Sequence, residues 1–115
     1  MQLTLPMPPS VNRIWRRKKG GGVYLDPKAA EFKETVGRIC LIERVKPIPR
    51  PIVTLHVYFP NHRSDVDNRA KLTLDALQGF AYQNDKEIVC VCLWKHFDKN
   101  DPRVEVTITT APEEN

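Results

Sequence analysis

Apolar and polar residues alternate over residues 2–5, QLTL, which predicts a short strand. PMPPS follows, and its prolines deny ladder donors, so it is a connection or a sheet edge. Residues 13–25, RIWRRKKGGGVYL, predict a hairpin. Two strand-like pieces flank GGG, which permits the positive φ angles of a tight turn. Asp26 followed by Pro27 is a helix start signal, a capping carboxylate and then a proline at the first helical position. Ala30, Val36 and Cys40, with Phe32, Ile39 and Leu41, carry this helix to about Val45, where KPIPRP ends it. Residues 52–59, IVTLHVYF, are β-branched and aromatic and predict a strand.

A second helix is expected from Asp67 or Asn68 to about Ala81. At about 100° per residue, Ala70, Leu74, Leu77 and Ala81 share one face, and Leu72, Ala76 and Phe80 form a second apolar stripe. Such a helix is buried on two sides, by core packing or by a second copy of the chain. Its narrow polar edge carries Asn68, Lys71, Asp75 and Gln78. Residues 87–97 and 103–110 alternate as two more strands, joined by the turn-rich DKNDP. The order β, β-hairpin, α, β, α, β, β predicts an α+β fold: a small mixed or antiparallel sheet packed with two helices. The 115 residues suit a single domain spanning 1–115.

Charge adds a mild bias. Eighteen Lys+Arg against 14 Asp+Glu give a net +4, which favours polyanionic partners without requiring them. No apolar run approaches the roughly 18 residues of a membrane span. MQLTLPMPPS lacks the features of a signal peptide, so the three cysteines read as reduced thiols of a cytoplasmic protein.

Against this cationic background, HRSDVDNRAKLTLDAL (62–77) concentrates carboxylates at a helix start. In extended chain Asp65 and Asp67 point to one side, and Lys71 lies one helical turn beyond Asp67. Hard oxygens so grouped suit Mg²⁺ or Mn²⁺, and a nearby ammonium suits a phosphate. Capping and an i,i+4 ion pair are the plainer uses of the same residues. Asp85, in the turn after this helix, is expected to fold back to the pair. Ala70 stands where an EF-hand loop needs glycine, which excludes that motif. Cys90 and Cys92 share one strand face and read as buried small hydrophobes, since C-x-C is outside zinc-finger spacing. Cys40 reads as core, and His56 and His96 as structural or solvent-facing. Arg13, Arg16, Arg17, Lys18 and Lys19, with Trp15, make either a solvated turn or an arm that grips phosphates and stacks on a base.

Four segments together resemble the RusA family of Holliday-junction resolvases, nucleases often carried by prophages. They are LPMPPSVNR, DVDNRAKLTLDAL, NDKEIV and DPRVEVTI, and the likeness runs nearly end to end. The resemblance implies a small α+β homodimer that uses Mg²⁺ or Mn²⁺ to nick two opposed strands of branched DNA, a four-way junction. It places metal-binding aspartates at Asp65, Asp67 and Asp85 and a catalytic lysine at Lys71. Expected DNA contacts are Asn12, Arg13, Trp15, Arg16, Arg17, Lys18, Lys19, Arg63, Asn68, Arg69 and Lys86. Lys86 departs from the more acidic run of many relatives. A related nuclease acting on forks or flaps, or a non-catalytic nucleic-acid-binding module, are the alternatives.

Overall fold

The computed structural model describes residues 1–11 and 14–113. Its elements are β1 (Gln2–Pro6), β2 (Trp15–Arg17), β3 (Val23–Leu25), α1 (Pro27–Ile42), β4 (Pro51–Phe59), α2 (Val66–Leu77), β5 (Cys90–Phe97) and β6 (Arg103–Thr110), with a 3-10 turn at Asp85–Glu87 before β5. One sheet has the order β1-β6-β4-β5, and β2 pairs with β3 in a separate two-stranded sheet. β4 is antiparallel to β6 and parallel to β5, so the sheet is mixed. The expected α+β architecture is present, with both helices on one face.

Strict alternation explains that face. Val53, Leu55, Val57 and Phe59 of β4 are fully buried, as are Val104, Val106 and Ile108 of β6. They meet Phe32, Val36 and Cys40 of α1 and Leu72, Ala76 and Leu77 of α2 in one core. Positions between them form the opposite face. There the His56 and His96 rings meet at 2.7 Å between Nδ1 and Nε2, and Tyr58 stacks on His96 with centroids 4.5 Å apart. Cys90 is exposed and Cys92 half-buried, contrary to the expectation that both are buried. β5 is an edge strand with no helix beyond it, so alternation there does not deliver burial. Cys40 is in the core as expected.

α1 starts where Asp26 predicts. Its carboxylate accepts from the amides of Lys28 (2.9 Å) and Ala29 (3.4 Å). The helix stops three residues before Val45, because Arg44 turns into the left-handed region at φ 56°. Ala29 and Gly37 face the core, while Ala30 and Leu41 do not. α2 is likewise shorter than expected: it starts at Val66 and ends at Leu77, and Gly79 supplies the φ of 90° that turns the chain away. Phe80 and Ala81 therefore leave the helix but still pack inward. Phe80 sits so close to α1 that a Cβ on Gly37 would lie 3.1 Å from its ring. Tyr82 is wholly buried and donates to the Leu74 carbonyl at 2.5 Å. Both apolar stripes of α2 are thus consumed within the chain, so the helix is not itself a free surface for a second copy. Among the described residues no helix is long and apolar enough to cross a membrane.

Among the described residues one ion pair ties the hairpin to this body. Arg16 meets the Asp26 carboxylate at 2.6 Å, while the Asp26 amide donates to the Ile14 carbonyl at 2.7 Å. Burial pushes the Asp26 carboxyl up, but the Arg16 hydrogen bond and the two helix amides outweigh it and hold it below its ordinary value of 3.8. A depressed folded-state value contributes stability that is present above the unfolded value and lost as pH falls through the folded one. Asp26→Asn keeps the cap but removes the pair. Thermal unfolding of the variant should give a lower midpoint than the parent at neutral pH, and the gap should close as pH drops below about 3.8. A gap that persists undiminished in acid would refute the ion-pair account.

Candidate nuclease site

The parallel β4–β5 pair fixes where each acidic residue goes. β4 ends at Phe59, the chain loops through 60–65, and α2 returns along the sheet so that β5 starts beside the start of β4, with Ile52 opposite Cys90. Asp65 and Asp67 therefore stand at the end where β4 and β5 finish. Asp85 stands at the other end. Its amide donates to Gln78 Oε1 at 3.0 Å, just past the last residue of α2, and Val89 donates to the Pro51 carbonyl at 2.9 Å. The 12 residues of α2 alone separate the two positions by about 18 Å. The expected fold-back does not occur within the chain, because a parallel crossover must carry the connection to the opposite end of the strands. Among the described residues no three His, Cys, Asp or Glu side chains form a ready metal cluster.

Asp65 and Asp67 are joined by the helix start rather than by extended-chain alternation. Asp65 is the cap, and its Oδ1 accepts from the Asp67 amide at 3.0 Å. Asp67 is already the second helical residue. Both are exposed, and the free amides of the helix N-terminus favour their negative charge. Lys71 follows one turn later on the polar edge, exposed and, among the described residues, without an ion pair inside 4.0 Å. The plain pairing of Asp67 with Lys71 is therefore not made, whereas the plain capping role of Asp65 is.

Their neighbours divide between scaffold and surface. Asn68 donates through Nδ2 to the Val11 carbonyl at 3.1 Å, and among the described residues its buried Oδ1 has no partner. Arg69 donates to the Pro8 carbonyl and lies over the Phe59 ring, and burial pushes its guanidinium below the ordinary arginine value. These two side chains pin residues 8–11 against α2 instead of facing solvent. Arg63 is exposed in the loop, and Lys86 is exposed beside Asp85 at the far end. On the hairpin, Arg16 is committed to Asp26, while Arg17, Lys18 and Lys19 are exposed. Trp15 is exposed with the Lys33 ammonium 5.9 Å from its ring centre. Asn12 and Arg13 lie outside the described residues.

Sequence reasoning misses Lys95. Its ammonium donates to the carbonyls of Ser64 at 2.7 Å and His62 at 3.3 Å, and so clamps the loop that delivers Asp65. A signal is present: Lys95 breaks the row Val91, Leu93, Phe97 on one face of β5. Only the parallel pairing reveals that this row runs under the loop. Arg103 is missed too. It binds Asp98 at 2.9 Å and Glu105 at 3.1 Å, fixing the adjacent β5–β6 connection, and its hydrogen bond holds the Asp98 carboxyl below the ordinary value.

The Asp65–Asp67 pair fits the oxygen-donor preference of Mg²⁺ or Mn²⁺, which bind through one or two carboxylates and retain waters. One Asp65 oxygen is engaged in the cap, and the other is left for a ligand. Asp85 is not part of that donor set within one chain.

The arrangement is a mixed sheet whose crossover helix presents exposed acids beside an exposed lysine. The family model described as "Endodeoxyribonuclease RusA" matches residues 6–109. The "Crossover junction endodeoxyribonuclease RusA" of Escherichia coli K12 is 32% identical, covering 93% of this chain and 92% of its own length. The protein of the same name from Enterobacteria phage 82 aligns equally well, and that of phage HK97 is 29% identical over 75% of this chain and 73% of its own. The chain belongs to the RusA family of endodeoxyribonucleases.

Lys95→Met keeps the apolar stem and removes both bonds to the loop carbonyls. Amide exchange over residues 62–67 should quicken by about tenfold, roughly the value of one charged hydrogen bond, with global stability little changed. Unaltered exchange there would show that the loop holds itself.

Proposed function

We propose that the chain is a structure-selective endodeoxyribonuclease that resolves four-way DNA junctions as a homodimer, by hydrolysing one phosphodiester in each of two opposed strands. The observation that carries this reading is the exposed triplet Asp65, Asp67 and Lys71 on a helix whose other faces are buried, in a chain of this family. Asp65 and Asp67 would hold Mg²⁺ or Mn²⁺. Such an ion, when bound, supplies an activated water and a Lewis acid for the scissile phosphate. The chain's own groups do the rest. The cap and the Lys95 clamp fix the carboxylates. Lys71 pairs with a phosphate oxygen and offsets the charge that develops on it. Arg17, Lys18, Lys19 and Arg63 hold flanking phosphates, which supplies affinity without sequence reading. The cap made by Asp65 favours one competing reading, a binding module whose acids are only structural. Cleavage of labelled junction DNA with Mg²⁺, set against duplex, fork and flap, decides between these readings and among substrates.

Asp65→Asn and Asp67→Asn should each abolish cleavage while junction binding holds or tightens, since negative charge is removed near DNA. Asparagine caps as well as aspartate, so a loss at position 65 could not be blamed on the helix. Substantial Mg²⁺-dependent cleavage by either variant would sink the ligand assignment. Lys71→Ala should slow single-turnover cleavage at least about a hundredfold and leave affinity nearly unchanged. A loss confined to affinity would make Lys71 a grip only.

Neutralising Arg17, Lys18 and Lys19 together should flatten the salt dependence of junction binding, by a slope of about 0.9 for each phosphate no longer neutralised. An unchanged slope would make the hairpin an idle turn.

A further inference from the structure

Cysteine is among the residues most often buried, yet two of the three in this chain stand side by side at the surface. Cys90 is exposed and Cys92 half-buried. As alternate residues of β5 they project from one face of the sheet, the face opposite the helices. Their sulfurs are 3.9 Å apart. Alternate residues of a strand are about 6.6 Å apart along the chain, so the two side chains lean toward one another across that gap.

Three uses compete for such a pair, and geometry separates them. An S–H hydrogen bond is weak and gives two surface side chains little reason to converge. A disulfide needs Cβ atoms about 3.5–4.5 Å apart. β5 is held extended by its pairing with β4, where Cys90 lies opposite Ile52 and Cys92 opposite Thr54. The Cβ atoms therefore stay near the strand repeat, and a disulfide would buckle the strand. A chelate needs no backbone movement. Thiolates bind a soft cation at about 2.3 Å, and sulfurs 3.9 Å apart then subtend about 116° at the ion, between the tetrahedral and trigonal angles.

We propose that Cys90 and Cys92 together bind a thiophilic d10 cation, of the class of Cu⁺ and Cd²⁺, as a bidentate dithiolate. Soft thiolates select such ions. Among the described residues no third His, Cys, Asp or Glu completes a cluster with them, so a closed four-ligand zinc site is not formed. The site instead suits ions satisfied by two or three thiolates, with water or a free small-molecule thiol in the open position. Each S–H proton passes to water as a sulfur–metal bond forms, so affinity rises with pH. The hydrogen bond to Cys92 raises the Cys90 thiol above its ordinary value, so the empty pair rests as a dithiol and is slow to react as a nucleophile. The chain thus sorts cations by hardness. Oxygen donors stand at the start of α2, and sulfur donors stand near the start of β5. This inference is independent of the nuclease reading.

Cadmium titration of the reduced full chain tests it. Thiolate-to-Cd²⁺ charge transfer absorbs in the ultraviolet, whereas carboxylate-bound Cd²⁺ gives no such band, and excess Mg²⁺ keeps the oxygen donors occupied. The band should saturate at one Cd²⁺ per chain. Cys90→Ser and Cys92→Ser should each weaken binding at least about a hundredfold, because either change removes the chelate's effective concentration. Both are surface substitutions, and circular dichroism checks that the variants are folded. Cd²⁺ should also block alkylation of Cys90 and Cys92 by iodoacetamide, read by mass spectrometry, while Cys40 stays unreacted in the core with or without the ion. A band that survives either substitution at parental affinity overturns the chelate. So does saturation at one ion per two chains, or the absence of a band at one equivalent of Cd²⁺.

Discussion

The parallel pairing of β4 with β5 is the constraint on which the rest of the molecule depends. It obliges the chain to cross the length of the sheet between the two strands, and α2 is that crossing. The helix is long because the strands are long. It is apolar on two sides because it must fill the space above β4 and against α1. Its N-terminus therefore emerges where β4 ends, next to the loop clamped by Lys95. The same pairing sends Asp85 to the far end, so sequence neighbours flanking one helix become spatial opposites. Nothing in the spacing of Asp65, Asp67 and Asp85 reveals this; the direction of one strand decides it.

What is legible in the sequence is what local chemistry controls. The hairpin around GGG, the helix start at Asp26 and the strands at 52–59 and 103–110 are all present, each fixed by residues within a few positions. Periodicity overruns the helix ends. Ala81 fits the apolar period of α2, but Gly79 breaks the backbone before it, and periodicity cannot see a positive φ. Cys90 and Cys92 depart from expectation because alternation reports which face a residue takes, not whether that face is covered. Asn68 and Arg69 look like surface residues of an acidic motif. Their bonds to Val11 and Pro8 depend on a proline-rich segment over fifty residues away coming to rest beside α2. Asp65, Asp67 and Lys71 stand out in the sequence because their chemistry is concentrated in seven residues.

Acidic residues in a cationic protein present an electrostatic conflict that the fold resolves by separation. Asp65 at the start of α2 is held by the Asp67 amide, Lys95 is clamped to loop carbonyls and Arg69 to the Pro8 carbonyl, and among the described residues neither Asp65 nor Asp67 has an ion pair inside 4.0 Å, although Arg63 and Lys71 stand exposed nearby. Where a carboxylate has a structural task, the opposite holds: Asp26 has Arg16, and Asp98 has Arg103.

The three glycines of the hairpin, at φ 95°, 113° and 82°, touch nothing that a side chain would displace. The tip is therefore uncoupled from the core, and among the described residues the arm is anchored near its base, through the Arg16–Asp26 pair, the Ile14 carbonyl, the packing of Ile14 and Leu25 on the core and the Lys33 ammonium beside Trp15. An arm held in this way is an evolvable part. Its length and charge can drift among lineages by insertion, deletion or substitution at the tip without disturbing the packing that sets the acidic pair. The tip and the helix start can thus vary independently of one another, in a protein with relatives in both Escherichia coli and a phage.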